Sequence, residues 1–478
     1  MALKISRPYI GIWVSLIVSL FIFFVNPFQV DAHANKVLAV GALIIALWIS
    51  EAMPMPVVAL LPLILFPFLD IASIETTASS FSNPIIYLFM GGFLIGLAIE
   101  KWNLHRRIAL NIVRLTGTSG NRIVLGFIIS TGIISMWLSN TATTMMMFPI
   151  ALSVIHVMKE NHPHQKRIQN FSLTLMLAIA FASNFGGIAT LIGTPPNVAY
   201  AAYIQKKYNV AIGFFDWMVI CMPLSILLLF ILYWVMVKWL YPNGMKEDAS
   251  TKQLIRSEIN KLGIFSTAEK RVLVIFLCTA GLWITKGLIN TLGLIKLDDT
   301  MIALIGGISL FICPAGGEKK EALLQWEDTK KMAWGILLLF GGGIALASAL
   351  ENAGLIEQLG KWFAQFSSNG FLIVFLVTLI ALFLSEVMSN VAQVIVFAPV
   401  VSSLADAMHM NPLLLGIPMT LAASCASMMP MGTPPNAIVF ASGYIKLKQM
   451  TRTGFVMNII CVILITLFSW FLLPLVFK

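Results

Sequence analysis

Gly193-Thr194-Pro195-Pro196-Asn197 interrupts an apolar run, 171–206, and the same five residues return as Gly432-Thr433-Pro434-Pro435-Asn436 inside another, 412–443. Neither run can be one continuous helix. Two consecutive prolines remove two N–H donors, clash with the preceding turn and push Thr194 and Thr433 away from helical dihedral angles. In hydrocarbon each backbone group freed by such a break costs several kcal/mol unless it lines a cavity or binds something. One proline pair in a transmembrane helix is modest information, because such helices tolerate proline. The same break at two matching places points to a duplicated binding device.

The duplication has two further anchors. Met90-Gly91-Gly92-Phe93-Leu94-Ile95-Gly96-Leu97-Ala98 resembles Phe340-Gly341-Gly342-Gly343-Ile344-Ala345-Leu346-Ala347 at an offset of 250, and Ser135, Ser139-Asn140 and Ala142 recur as Ser385, Ser389-Asn390 and Ala392 at the same offset. The proline breaks are 239 apart, and the difference fits a shorter link in the second copy. Counting the first Gly-Gly helix, five crossings precede the second, an odd number, so the second copy is expected upside down. Inverted repeats with discontinuous helices near the midplane are the build of many secondary transporters.

Composition agrees with a lipid solvent. The 478 residues are 59% hydrophobic and 11% charged, less than half the charge of an ordinary soluble chain. A soluble enzyme, a disordered chain and a secreted disulfide scaffold are excluded. Cys221, Cys278, Cys313, Cys425 and Cys461 lie in apolar runs without paired spacing and read as packing residues. The net charge of +10 resides in short loops between apolar runs, a topology signal and not a nucleic-acid surface. The first run, 9–30, lacks a cleavage site and reads as a retained helix.

Loop charge orders the crossings. Two stretches, 123–155 and 371–405, are too long for one span and carry a polar tripeptide at their middle. Basic residues flank the first on both sides (Arg106, Arg107, Arg114 and Arg122 before; Lys159, Lys166 and Arg167 after), so it enters and leaves by the cytoplasmic face as a re-entrant hairpin. The second has flanks poor in basic residues and is expected to enter from outside. The fold read here is an all-α polytopic membrane protein of eleven transmembrane helices plus two re-entrant hairpins, with a cytoplasmic N-terminus and an external C-terminus. Lys206 and Lys207 run against this rule.

The tips and breaks carry complementary chemistry. Freed carbonyls suit a hard cation, and a helix N-terminus suits an anion. Ser139, Asn140 and Thr141 offer hydroxyl and amide groups, although Ser and Asn are also ordinary capping residues. No Lys, Arg or His lies in the tips or the breaks. An anion bound there needs a bound cation to offset desolvation, which costs several kcal/mol per ion. Two small-cation sites flanking one anion site follow, and with them cation-coupled anion uptake.

On these residues the chain resembles the divalent anion:sodium symporter family, whose members carry dicarboxylates, tricarboxylates or sulfate. The resemblance implies Na+ as co-transported ion, no organic cofactor, a homodimer in the plasma membrane, and an elevator in which a transport domain moves against a scaffold. It implies Ser139, Asn140 and Thr141 at one substrate carboxylate and Ser389 and Asn390 at the other, with Thr194, Pro195, Thr433 and Pro434 shaping the substrate side of the breaks. One sodium site would use Ser135, Ser139, Asn140 and Gly193; the second would use Ser385, Asn390, Gly432 and the backbone oxygen of Met388. Val391 departs from the Ser-Asn-Thr pattern of the second tip, replacing a hydroxyl with a methyl group, which bears on substrate preference. The corresponding division is 1–78 as N-terminal scaffold helices, 79–240 as first repeat, 241–270 as cytoplasmic linker and 271–478 as second repeat.

Import of succinate, malate, fumarate or citrate with sodium is the leading function. The alternatives are a sodium-independent dicarboxylate exchanger and a carrier of another divalent anion such as sulfate. A membrane-embedded enzyme would need acid-base or metal-ligating residues at membrane depth, whereas His33, His105, His156, His162, His164 and His409 fall in loops or helix ends. Glu386, beside Ser385, is read either as a proton or cation site or, more simply, as a helix-face residue paired near an interface or solvated by a cavity. Glu51 and Glu100 read as solvated helix ends. Amphipathic segments 101–116 and 353–366 read as interfacial helices that would connect each Gly-Gly helix to its hairpin. Met145-Met146-Met147 is expected to pack the first hairpin and not to bind a soft metal.

Overall fold

The computed structural model describes residues 7–161, 165–247, 249–293, 295–316, 321–358 and 369–477, and every named element in them is helical. Among the described residues nine helices are long and apolar enough to cross a membrane, and shorter apolar helices such as Gly120–Ser135 and Gly370–Leu384 accompany them. Large apolar side chains face outward along Arg7–Val25 (Trp13, Ile17, Phe21), Phe214–Trp234 (Ile226, Phe230) and Thr267–Thr291 (Val274, Leu277, Leu288). Polar side chains lie inside instead, Ser135, Asn140, Ser183, Asn184, Asn197, Ser385 and Asn436 being buried. An apolar exterior around a polar interior is the arrangement lipid demands.

The duplication reappears as one order of elements. In the first copy a Gly-Gly helix (Pro84–Lys101) leads to an arm helix (Leu104–Thr116) and a hairpin (Gly120–Ser135, Asn140–Asn161). A broken helix (Gln165–Gly187, Pro195–Tyr208) and a closing helix (Phe214–Trp234) complete it. The second copy runs Trp334–Asn352, Gly370–Leu384 with Asn390–Ala407, Pro412–Ser424 with Pro434–Phe440, then Leu447–Val476. The second amphipathic segment, 353–366, lies outside the described residues beyond 358. The Gly-Gly helices make matching close approaches. A Cβ on Gly91 would lie 2.5 Å from the Ala303 carbonyl, and one on Gly342 would lie 2.2 Å from that of Ala59, the small-residue packing through which membrane helices meet.

Several expectations shift in detail. Cys221, Cys425 and Cys461 are buried, but Cys278 is exposed and Cys313 half-buried, because the helix carrying Cys278 turns apolar residues outward. Only Met147 of the methionine run is fully buried; Met145 is 61% exposed. The charge of Lys207, which runs against the expected topology, is matched within the fold. Its ammonium lies 3.0 Å from Asp406 and 3.7 Å from Glu351, with the Tyr208 ring beneath it. The arm helix is anchored by Arg107, which donates to Glu269 and to the carbonyls of Leu262 and Gly263.

The two breaks are built alike. Thr194 (φ −144°, ψ 139°) and Thr433 (φ −144°, ψ 149°) are extended N-caps followed by proline at the first helical position. The closing asparagine of each pentapeptide folds back on its own break. Asn197 Nδ2 donates to the carbonyls of Thr190 (2.8 Å) and Gly187 (3.4 Å), and Asn436 Nδ2 donates to those of Ala426 and Met429 (both 3.1 Å). Both asparagines are fully buried. Asn197→Leu leaves the carbonyls of Thr190 and Gly187 without that donor and Asn436→Leu that of Ala426, while Met429 keeps the Gly432 N–H, a cost of about 1–3 kcal/mol per group left bare. Each is expected to lower the melting temperature of the detergent-purified protein by several degrees, while Asn170→Leu, at an exposed contact, should leave it nearly unchanged.

Candidate functional site

Each hairpin turns just before its asparagine. Asn140 and Asn390 are the first residues of the returning arms. At the first tip the Ser139 hydroxyl accepts from the Ala142 N–H at 3.2 Å, so it also caps the helix. Ser389 makes no such bond. The half-buried Asn390 side chain has no hydrogen-bond partner among the described residues. Capping therefore explains one tip and not the other.

Oxygens crowd together where the first tip meets the first break. Ser135 Oγ lies 2.8 Å from Asn140 Oδ1 and 2.8 Å from the Ser183 carbonyl. A hydroxyl has one proton and cannot serve both acceptors. Gly187 admits the tip, since a Cβ there would lie 2.2 Å from Asn140 Oδ1, and Gly193 lies against the carbonyls of Gly187 and Ser135. Hydroxyl, amide and carbonyl oxygens with few protons among them are the ligand set of a hard cation. The structure thus brings Ser135, Asn140 and Gly193 together, and adds Ser183 and Gly187, which sequence reasoning did not single out.

The second copy repeats part of this. Ser385 Oγ donates to the Ala423 carbonyl at 2.6 Å, as Ser135 does to Ser183. The Ser385 carbonyl lies 3.3 Å from the position of a Gly432 Cβ. Met388 and Val391 are buried beside the tip, at 8% and 9% exposure, while Thr141 is half-buried at the other. Thr194 and Thr433 are both buried.

One side chain joins the two copies. Asn184 Nδ2 donates to Thr433 Oγ1 at 3.0 Å, and Asn140 Nδ2 approaches Asn184 Oδ1 at 3.5 Å. The first tip and the second break therefore share one polar centre. Asn184 belongs to none of the repeated motifs; its signal in the sequence was an amide in the apolar second half of its helix, Gln165–Gly187.

Glu386 is neither paired with a basic residue among the described residues nor solvated: it is 4% exposed. Its Oε1 accepts from the N–H groups of Ser427 (2.8 Å) and Met428 (2.9 Å) and from Asn458 Nδ2 (2.6 Å), and its Oε2 accepts from the Met429 N–H (2.8 Å). The residue at this place in the first copy is Met136. There Thr190 Oγ1 donates to the Met136 carbonyl at 2.5 Å and accepts from the Gly193 N–H at 3.1 Å. A hydroxyl fastens the first break and a carboxylate the second.

A cleft of about 100 Å³ reaches Ser139 between the Gly-Gly helix (Gly92, Gly96) and the first break (Ile192), with Glu100 and Lys331 also lining it. A separate crevice of about 10 Å³ lies beside Gly343, between Tyr203 of the first broken helix and Ile395 of the second hairpin; Ser389 and Asn390 at the second tip are half-buried, as Ser139 is at the first.

Comparison with known proteins follows the same lines. The sodium-dependent dicarboxylate transporter SdcS of Staphylococcus saprophyticus is 39% identical over 485 residues, covering 98% of this chain and 93% of the relative. SdcS of Staphylococcus aureus strain USA300 is 39% identical over 469 residues, covering 96% and 90%. Among solved structures, Neisseria gonorrhoeae MtrF, described as illuminating a class of antimetabolite efflux pumps, superposes with a TM-score of 0.56 over 83% of each chain. At 12% identity that likeness shows the fold alone. With the sequence model of the sodium:sulfate symporter transmembrane region matching residues 8–477, the chain belongs to this family of divalent anion:sodium symporters.

Proposed function

We propose that the protein is a secondary active transporter that imports dicarboxylates together with sodium. The observation that carries this reading is the pair of oxygen-rich junctions between hairpin tip and helix break, linked through Asn184 and Thr433. The tips and breaks contain no basic residue. Such a centre attracts small cations and holds an anion only beside them. The SdcS relatives, named for sodium-dependent dicarboxylate transport, support the same substrate class.

In this reading Ser139, Asn140 and Thr141 receive one carboxylate, and Ser389 and Asn390 the other. Thr194, Pro195, Thr433 and Pro434 wall the pocket, and Val391 offers a methyl group where a threonine of the same size would offer a hydroxyl, which bears on the choice among dicarboxylates and citrate. Sodium ions occupy Ser135, Ser139, Asn140 and Gly193 in the first copy, and Ser385, Met388, Asn390 and Gly432 in the second. The free amide of Asn390 and the cleft that reaches Ser139 are consistent with these roles. Transport then proceeds by an elevator-type alternating access, with the hairpins and broken helices as the moving part and residues 1–78 in the scaffold. Eleven crossings, re-entrant hairpins, a cytoplasmic N-terminus, an external C-terminus and a homodimer complete the proposal.

Uptake by proteoliposomes tests it with succinate, malate, fumarate, citrate and sulfate, with and without an inward sodium gradient. Saturable, electrogenic, sodium-driven succinate uptake is expected. Uptake indifferent to sodium but stimulated by internal dicarboxylate would make the protein an exchanger, and sulfate uptake in preference to succinate would overturn the substrate class. Asn140→Ala and Asn390→Ala each remove a hydrogen bond to a charged group, about 1.5–3 kcal/mol. Transport is expected to fall roughly 10- to 100-fold with little change in melting temperature. Full transport by either variant would remove the tips from the mechanism.

A further inference from the structure

The second break is longer and less helical than the first: helix stops at Ser424 and resumes at Pro434, against Gly187 and Pro195 in the first copy. The N–H groups of residues 427–429 therefore have no helical acceptor. Without water they need another one, and Glu386 supplies it for all three. Glu386 belongs to the tip turn, next to Ser385, so its carboxylate fastens the tip to the break. Its Oε2 lies 3.0 Å from where a Gly432 Cβ would stand, directly beside the turn that Ser385 also faces. Asn458, from the closing helix Leu447–Val476, braces the other oxygen at 2.6 Å. All four partners donate, which is the environment of a carboxylate acting purely as acceptor.

We infer that Glu386 is a positioning residue for the second cation site: through three backbone N–H groups it sets the shape of the unwound segment and the approach of Gly432 to Ser385. This rests on the transport reading above. The first site has no such residue, Met136 standing in its place, so the two sites are held by different chemistry and respond separately to substitution. A general structural brace would weaken folding and every kinetic constant alike. A positioning residue at one cation site shifts the sodium dependence alone.

The test is Glu386→Gln, which keeps the size of the side chain but turns an amide NH2 toward a backbone donor. In proteoliposomes the sodium concentration for half-maximal succinate uptake is expected to rise at least tenfold, while the succinate KM at saturating sodium changes less than threefold. Asn458→Leu, which keeps the carboxylate and removes only its brace, is expected to shift sodium dependence in the same direction by a smaller factor. It also serves as the test should Glu386→Gln fail to fold. An unchanged sodium curve, or sodium and succinate constants rising together, overturns the inference. Hydrogen–deuterium exchange in detergent separates this from the transport reading, because it requires no flux. Glu386→Gln should deprotect residues 425–433 and leave 188–194 as in the parent, and equal protection of both segments would overturn the fastening itself. Sodium-independent uptake by the parent protein would instead remove the sodium-coupled reading on which this inference rests.

Discussion

The structure depends on one constraint: two helices are broken inside a membrane-spanning fold, and each backbone group freed and buried there must find a partner. Asn197 and Asn436 answer for the carbonyls, each lending its amide to two of them. Thr190 and Glu386 answer for N–H groups, one by a hydroxyl and the other by a carboxylate. What is left over is acceptor capacity. Oxygens of Ser135, Asn140 and Ser183 face one another at 2.8 Å with too few protons between them. That surplus gives the fold a reason to take up a cation.

Electrostatics then extends the constraint to function. An anion entering this centre meets hydroxyl, amide and carbonyl groups but no guanidinium or ammonium in the tips and breaks. Glu386 adds a buried negative group to the second half, stabilised by local N–H dipoles and an asparagine. Desolvating a dicarboxylate in such surroundings is costly unless positive charge arrives with it. Low charge in the pocket and sodium coupling are thus one property seen from two sides. The Asn184 link from the first tip to the second break places both halves in a single centre, where one substrate with two carboxylates can span them.

Much of this was legible in the sequence because it rests on local chemistry. Gly-Thr-Pro-Pro-Asn breaks a helix wherever it stands, and its repetition, with the paired Ser-Asn tips and glycine helices, exposed the duplication and the family. Ser135, Asn140, Gly193, Ser385 and Gly432 became candidates by that route, through the resemblance. The residues it missed act through tertiary contact. Asn184 gains meaning only when Thr433, 249 positions away, packs against it. Glu386 was read as a proton or cation site or as a paired or solvated residue; its backbone partners could not be named because the segment 427–429 is unwound only in the folded protein. Only the fold shows that Lys207, which runs against the loop-charge rule, lies beside Asp406 and Glu351. Nothing in the sequence marks Lys331 as lining the cleft to Ser139.

If the oxygen surplus and the missing basic residue are the physical basis of coupling, substrate binding itself must require the cation, before any movement across a membrane. Equilibrium binding of succinate to the purified protein, measured by titration calorimetry in sodium chloride and in choline chloride at equal ionic strength, tests this most directly. Binding in sodium with none detectable in choline, and a reciprocal gain in sodium affinity when succinate is present, is the result predicted here. Succinate binding of equal strength in both salts would contradict it.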